Sequence, residues 1–157
     1  MMASSERPQG ITVNGQTVRH GQRAVIAVPV STDLDGSEIV LHIHAVVGAA
    51  PGPTMALQAA LHGSEWQSAE IIRRVLDGLD PAQMSGSVLA LPVGNPVALG
   101  SRTRNLRDES DSPDLNRAFG NEQTWLADQL ARAIATHLLA HADAVVDFHC
   151  GLWGAAM

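Results

Sequence analysis

The feature that most restricts the fold of this chain is a recurring order of apolar strand, turn and helix. Residues 54–61 form a largely apolar run, and apolar side chains within 68–79 then recur with the period of a helix. A further apolar run at 87–93, a helical pattern over 121–141 and a last apolar run at 144–148 repeat this order. Strands that alternate with helices imply βαβ units, so the pattern predicts an α/β protein with a mixed, largely parallel sheet.

The rest of the chain supports a single domain. Residues 1–10 are polar and are predicted to be a disordered leader, and residues 11–157 are long enough for one domain with its own core. Val- and Ile-rich stretches at 25–30 and 39–47 predict two more strands. Residues 100–120 are polar and charged, and a loop of that length in a compact domain is usually functional or disordered.

Composition excludes several classes of function. The net charge is −6 and no basic stripe is present, which argues against nucleic acid as a partner. The apolar runs are far shorter than the roughly 20 residues that cross a bilayer, and no apolar segment near the start resembles a secretory signal. With one cysteine, Cys150, no internal disulfide can form. We therefore expect a cytoplasmic protein that binds neither membrane nor nucleic acid.

A candidate metal site follows from two strand ends. His62 and Glu65 come directly after the run at 54–61, and a tight turn would bring them together, for which Gly63 is expected to supply the conformational freedom. His149 ends the last predicted strand. Two imidazoles and one carboxylate form the three-ligand set of a catalytic zinc, which leaves one position open for water. The sequence thus predicts one Zn²⁺ per chain.

Each ligand taken alone also has a structural interpretation. Glu65 alone fits a carboxylate that is favourable near a helix N-terminus, and His149 alone fits an imidazole bonded to backbone. Asp147 lies two residues before His149 on the same strand face and is expected to orient that imidazole, or else to act as a turn or cap partner.

Polar residues in the long loop form a candidate substrate-binding set. Arg104 and Arg117 carry planar guanidinium groups, which bind carboxylates through two parallel hydrogen bonds, and Asn116 adds an amide donor and acceptor. An arginine beside a metal-activated water can instead stabilise a developing oxyanion. The alternative is a solvated loop in which Asp111 and Asp114 pair with the arginines.

Five short motifs follow one another in a specific order. They are H-G-x-E at 62–65, N-P-x-A at 95–98, T-R at 103–104, D-L-N-R-x-F at 114–119 and D-x-H-x-G at 147–151. In this order they resemble the succinylglutamate desuccinylase/aspartoacylase family, which is related to the zinc carboxypeptidases. The resemblance runs from about Met55 to Gly151.

This resemblance implies a fold, an activity and roles for individual residues. It implies a three-layer zinc-carboxypeptidase-like α/β fold and a hydrolase that cleaves the amide or ester bond of an N-acyl amino acid with metal-activated water. The implied zinc ligands are His62, Glu65 and His149, and the implied substrate contacts are Arg104, Asn116 and Arg117. The loop before Asn116 is slightly longer than is usual in the family, so Arg102 or Arg107 could replace Arg104.

One expected component has no match in the sequence. The family's general-base glutamate lies well downstream of the third metal ligand, whereas this sequence ends at Met157. No catalytic base is therefore assigned, although Glu109 in the loop stays a candidate. We expect the N-terminal portion of a larger catalytic domain, with a sheet that is incomplete at its C-terminal end. The uncovered edge would favour a homo-oligomer or a complementing C-terminal chain. The alternatives are an inactive, truncated zinc-binding domain and a zinc carboxypeptidase that acts on peptides.

Overall fold

The computed structural model describes residues 10–105 and 113–151. Most of the predicted leader thus lies outside the described residues, although Gly10 begins the first strand. In chain order the elements are β1 (Gly10–Val13), β2 (Gln16–Arg19), β3 (Gln22–Thr32), β4 (Glu38–Val47), β5 (Ala50–Ala59), α1 (Gln67–Gly78), β6 (Ser85–Leu91), α2 (Pro96–Ser101), α3 (Leu126–His137) and β7 (Ala144–Phe148). Single turns of 3₁₀ helix lie at Gly63–Glu65, Pro81–Gln83, Leu115–Arg117 and Leu139–His141.

The central sheet is mixed, as predicted, although two of its four strand pairs are parallel rather than most of them. Strands β3 to β7 form a five-stranded sheet in the order β3-β4-β6-β5-β7, and β1 and β2 form a separate hairpin. The pairs β3–β4 and β4–β6 are antiparallel, whereas β6–β5 and β5–β7 are parallel. Parallel pairing is thus confined to the three strands whose carboxyl ends meet at one edge of the sheet.

Helices cover both faces of the sheet, which confirms the three-layer α/β architecture. On one face α1 buries Ile72 and Leu76 against Leu57 and Ala59 of β5. On the other face α3 packs into a larger cluster, and each fully buried Leu or Ile there contributes about 1.5–3 kcal/mol of hydrophobic free energy. Its largest fully buried side chains are Ile26, Leu41, Ile43, Leu61, Leu89, Leu91, Leu115, Leu130, Ile134 and Leu138.

Three elements, the strands β1 and β2 and the helix α2, escaped sequence-based prediction. The hairpin of β1 and β2 turns at Asn14 and Gly15, which have φ of 45° and 76°, and an Asn-Gly pair is a strong signal for such a turn. Helix α2 has six residues and is too short to show a helical period. The helix predicted over 121–141 was too long, because it begins only at Leu126, where Asp128 accepts a hydrogen bond from the Trp125 backbone N–H.

Strand β7 lies at the edge of the described sheet. Among the described residues it pairs only with β5, and Val145 and Val146 are 49% and 38% exposed. An exposed edge with apolar side chains is a surface on which further chain or a partner can pair. No helix in the described part of the chain is long and apolar enough to cross a membrane.

Candidate metal centre

The site forms where β5 and β7 end side by side. These strands are parallel neighbours, with Ala59 in register with Phe148, so the residues that follow each strand emerge at the same edge. Ala60 has a left-handed backbone (φ 49°) and turns the chain out of β5 two residues before His62. That conformation costs a non-glycine residue about 1–2 kcal/mol. The backbone N–H of Ala60 is held by the Ser68 hydroxyl at 3.2 Å.

Gly63 serves a different purpose from the one expected. Its φ is not positive, so the turn into the 3₁₀ helix does not depend on glycine's conformational freedom. Instead, a Cβ at this position would lie 2.0 Å from the carbonyl carbon and oxygen of Ala98 in α2. Glycine is therefore required because two backbone segments approach each other closely.

Asn95 fastens α2 to the chain that carries His62. Its side chain is fully buried, and its Oδ1 accepts a hydrogen bond from the Ala98 N–H at 3.1 Å as the helix N-cap. Its Nδ2 donates to the carbonyl oxygen of Leu61 at 3.3 Å. The N-P-x-A motif thus connects helix α2 to Leu61, the residue before His62.

The three predicted metal ligands converge on one carboxylate. His62 Nδ1 lies 2.9 Å from Glu65 Oε1, and His149 Nδ1 lies 2.8 Å from Glu65 Oε2. One ligand atom from each residue falls within a 4.8 Å cluster that could hold a metal ion. His62 and Glu65 are buried, whereas 34% of the His149 side chain is exposed. The cluster is therefore reachable from one side.

The outer nitrogens of both imidazoles face further carboxylates. His62 Nε2 lies 2.9 Å from Asp114 Oδ1, and His149 Nε2 lies 3.1 Å from Asp147 Oδ2. Metal-binding histidines commonly donate their second ring N–H to a carboxylate, which fixes the tautomer and turns the other nitrogen toward the metal. Asp147 thus lies where the sequence placed it, beside His149.

Hydrogen-bond counting indicates that the cluster could hold a cation. A neutral imidazole carries a single N–H donor, yet both nitrogens of His62 and of His149 face carboxylate oxygens. On each ring the nitrogen without a proton must therefore gain a second proton, accept from a protonated carboxyl group, or bind a metal ion. A divalent cation that replaces two such protons leaves the total charge of the pocket unchanged, so the donor set fits a divalent metal.

The pKa values of Asp114 and His149 are both shifted by their contacts in this cluster. Burial alone would raise the pKa of Asp114, but the hydrogen bonds from His62 and from the Asn116 backbone N–H lower that pKa below its usual value. Burial opposes protonation of His149, yet Asp147 and Glu65 outweigh it and raise the pKa of His149 above 6.5. These contacts thus favour the ionised carboxylate of Asp114 and a positive charge on the His149 imidazole.

The predicted substrate-binding residues lie at the rim of the cluster. Arg104 reaches both Glu65 Oε1 at 3.4 Å and Asp114 Oδ2 at 3.3 Å. Arg117 is 85% exposed, with its Nε 4.0 Å from Asp114 Oδ2. Asn116 is exposed, and its backbone N–H donates to Asp114 Oδ1 at 2.9 Å. The structure thus gathers Arg104 and Arg117 around one carboxylate.

Of the two alternatives to Arg104, only Arg102 lies within the described residues. Arg102 ends α2 with a left-handed backbone (φ 56°) and lines a cavity with Trp66 and Leu99. Arg107 lies outside the described residues, as does Asp111. The backbone of Arg104 also contacts the turn between His62 and Glu65, because its carbonyl oxygen accepts a hydrogen bond from the Gly63 N–H at 3.3 Å.

The role of Asp114 beside His62 was missed from the sequence. The sequence pattern of D-L-N-R indicates Asn116 and Arg117 as substrate contacts and Asp114 as a salt-bridge partner of the arginines. A 3₁₀ turn at Leu115–Arg117 buries Leu115 in the core and thereby places the preceding carboxylate against the imidazole. The available signal was the position of an acidic residue immediately before a buried leucine.

The candidate base Glu109 lies outside the described residues. Among the described glutamates only Glu65 belongs to the cluster. Glu70 accepts hydrogen bonds from Arg73 and Arg74 on the exposed face of α1, and these hydrogen bonds lower the pKa of Glu70 to about 2. Glu38 begins β4. The described residues therefore offer no second glutamate at the metal cluster.

Removal of the charge on Asp114 should weaken metal binding. In Asp114→Asn the carboxylate that orients His62 Nε2 becomes a neutral amide, and loss of such an outer partner typically costs about 10- to 100-fold in metal affinity. Asp77→Asn, in an exposed ion pair on α1, is the matched control. Zinc titration against a competing chelator measures both, and equal affinities in the two variants would contradict this role for Asp114.

Metal affinity should rise with pH through the titration of His149. Because the pKa of His149 is raised, its proton stabilises the folded chain below pH 6.5, and that contribution is lost as the pH rises through the raised value. A metal at Nδ1 needs the same position deprotonated. We expect the zinc dissociation constant to fall as the pH rises through the raised pKa of His149, with the fall shifted to lower pH in Asp147→Asn. A dissociation constant independent of pH would refute this linkage.

Comparison with known proteins gives the family. The profile of the succinylglutamate desuccinylase/aspartoacylase catalytic domain matches residues 51–157. The chain belongs to this family. It is 27% identical over 150 residues to the N-alpha-acetyl-L-2,4-diaminobutyric acid deacetylase of Halomonas elongata, a match that covers 93% of this chain and 43% of that protein.

Solved structures share the fold. A succinylglutamate desuccinylase/aspartoacylase from Rhodobacter sphaeroides superposes with a TM-score of 0.70 at 29% identity, over 83% of this chain and 40% of that one. The product-bound ectoine utilization protein EutE from Ruegeria pomeroyi gives 0.72 at 22% identity, over 92% and 44%. The chain therefore spans less than half the length of these relatives.

Proposed function

We propose that this chain carries the metal-binding half of a zinc-dependent hydrolase that removes the acyl group from an N-acyl amino acid. The observation that carries the proposal is the convergence of His62, Glu65 and His149, with Asp114 and Asp147 behind the two imidazoles. Two nitrogen ligands and one carboxylate form a set that zinc accepts in hydrolytic sites. Membership of a family of deacylating enzymes supports the same conclusion.

The residues of the chain would prepare the site in specific ways. Asp114 and Asp147 would keep the protons on the Nε2 atoms of His62 and His149, which would leave the Nδ1 lone pairs for the metal. The backbone N–H of Cys150 donates to Glu65 Oε2 at 3.1 Å and fixes the plane of that carboxylate. When bound, zinc supplies a Lewis acid that activates water and polarises the acyl carbonyl.

The rim would select the substrate by charge. Arg117 is exposed beside the cluster, and Arg104 is half-exposed there. Guanidinium groups at these positions would bind the carboxylate of an acylated amino acid and hold its amide bond over the metal. Asn116, exposed in the same 3₁₀ turn as Arg117, would add a donor and an acceptor.

The proposal is tested with purified protein that holds one equivalent of zinc. We expect release of free amine from N-acetyl or N-succinyl amino acids, loss of that release with a chelator, and recovery on addition of zinc. Cleavage of peptides alone would favour the carboxypeptidase alternative. Stoichiometric zinc without any hydrolysis would favour a zinc-binding domain that lacks catalysis.

A further inference from the structure

Arg104 belongs to the substrate rim and to the metal cluster at the same time. Its Nη1 donates to Glu65 Oε1 at 3.4 Å, and its Nη2 donates to Asp114 Oδ2 at 3.3 Å. Nearly half of its side chain, 47%, is exposed. The guanidinium can therefore leave these carboxylates for solvent or for a ligand without disturbing the core.

The Glu65 carboxylate that Arg104 contacts already has several other polar partners. Glu65 Oε1 faces His62 Nδ1, while Oε2 faces His149 Nδ1 and the Cys150 N–H. A carboxylate offers about four lone-pair sites in total. A divalent ion on Glu65 needs the same electron density, and it is repelled by a guanidinium a few ångströms away in a partly buried pocket.

We infer that Arg104 and the metal ion compete for Glu65, and that an anion which draws Arg104 away from Glu65 thereby strengthens metal binding. This inference rests on the proposed function, since it takes His62, Glu65 and His149 as the metal ligands. Coupling between two binding sites is reciprocal, so the metal strengthens anion binding by the same factor. The site would therefore hold carboxylate ligands well only when its metal is bound.

Arg117 provides a matched comparison within the same loop. It carries the same charge near the same Asp114, but its Nε lies 4.0 Å from Oδ2 and 85% of its side chain is exposed. Solvent screens such a charge almost completely. Removal of Arg117 thus tests the general effect of one positive charge, whereas removal of Arg104 also tests the contact with Glu65.

The experiment measures zinc affinity by chelator competition in the wild type, Arg104→Gln and Arg117→Gln. We expect Arg104→Gln to bind zinc about tenfold more tightly and Arg117→Gln to change the affinity less than about twofold. Sodium acetate, compared with sodium chloride at equal ionic strength, should tighten zinc binding in the wild type. Any direct contact of acetate with zinc persists in Arg104→Gln, so a smaller acetate effect in this variant isolates the contribution of Arg104.

Unchanged or weaker zinc binding in Arg104→Gln would overturn the inference, as would an equal gain in Arg117→Gln or an acetate effect that Arg104→Gln fully retains. Thermal unfolding in the presence of chelator shows whether the variant is folded before its affinity is interpreted. If the wild type binds no zinc, the proposed function fails together with this inference. If the wild type binds one zinc and Arg104→Gln shows no gain, only the competition is wrong.

Discussion

His62→Ala should abolish retention of zinc at one equivalent per chain. The substitution removes one of the three proposed ligand groups and also leaves Asp114 without its imidazole partner. Loss of outer partners alone costs roughly 10- to 100-fold in affinity, so loss of a ligand should weaken binding by more than about 100-fold. Metal content after dialysis and chelator competition measure the effect.

Because His62 is almost fully buried, its removal could also disturb folding, and two further variants separate the effects. His149→Ala removes a proposed ligand whose side chain is 34% exposed, so it should lose zinc with less damage to the fold. His42→Ala removes an exposed histidine of β4 and should keep zinc at the wild-type level. One equivalent of tightly held zinc in His62→Ala would contradict the assignment of His62 as a zinc ligand.

Gly63→Ala should cost both stability and the metal site. The added Cβ would lie 2.0 Å from the backbone of Ala98 and 2.3 Å from the Leu99 nitrogen, and backbone atoms cannot rotate away as a flexible side chain would. Overpacking of this kind typically costs about 1–3 kcal/mol, and a clash with fixed backbone belongs at the upper end or beyond. The forced shift moves the loop between His62 and Glu65. We therefore expect a lower Tm together with weaker zinc binding.

Gly78→Ala is the control for this substitution. A Cβ at Gly78 would meet nothing within 4 Å, and Gly78 is the last residue of α1. Replacement of a helical glycine by alanine usually gains about 0.5–1 kcal/mol, so Gly78→Ala should raise Tm and leave zinc affinity unchanged. Wild-type Tm and zinc affinity in Gly63→Ala would show that the close approach of α2 to the loop is not what requires glycine.

Elements with a strong local pattern were predictable, and short or capped ones were not. The strand predicted over 144–148 agrees with β7, and the helix predicted over 68–79 differs from α1 by one residue at each end. Helix α2 depends on Asn95, whose side chain caps it and also bonds Leu61, more than 30 residues earlier. No local periodicity reports a contact of that kind.

Residue identity and order were enough to specify the candidate ligands and the class of fold. The apolar runs dictate which segments become buried strands, and only a few residue types in this sequence can bind a metal at the ends of those strands. Which atoms face one another follows instead from packing between distant segments. The burial of Leu115 brings Asp114 to His62, the parallel register of β5 and β7 brings His149 to Glu65, and the approach of α2 makes Gly63 necessary. These relations depend on long-range contacts, which no stretch of neighbouring residues encodes.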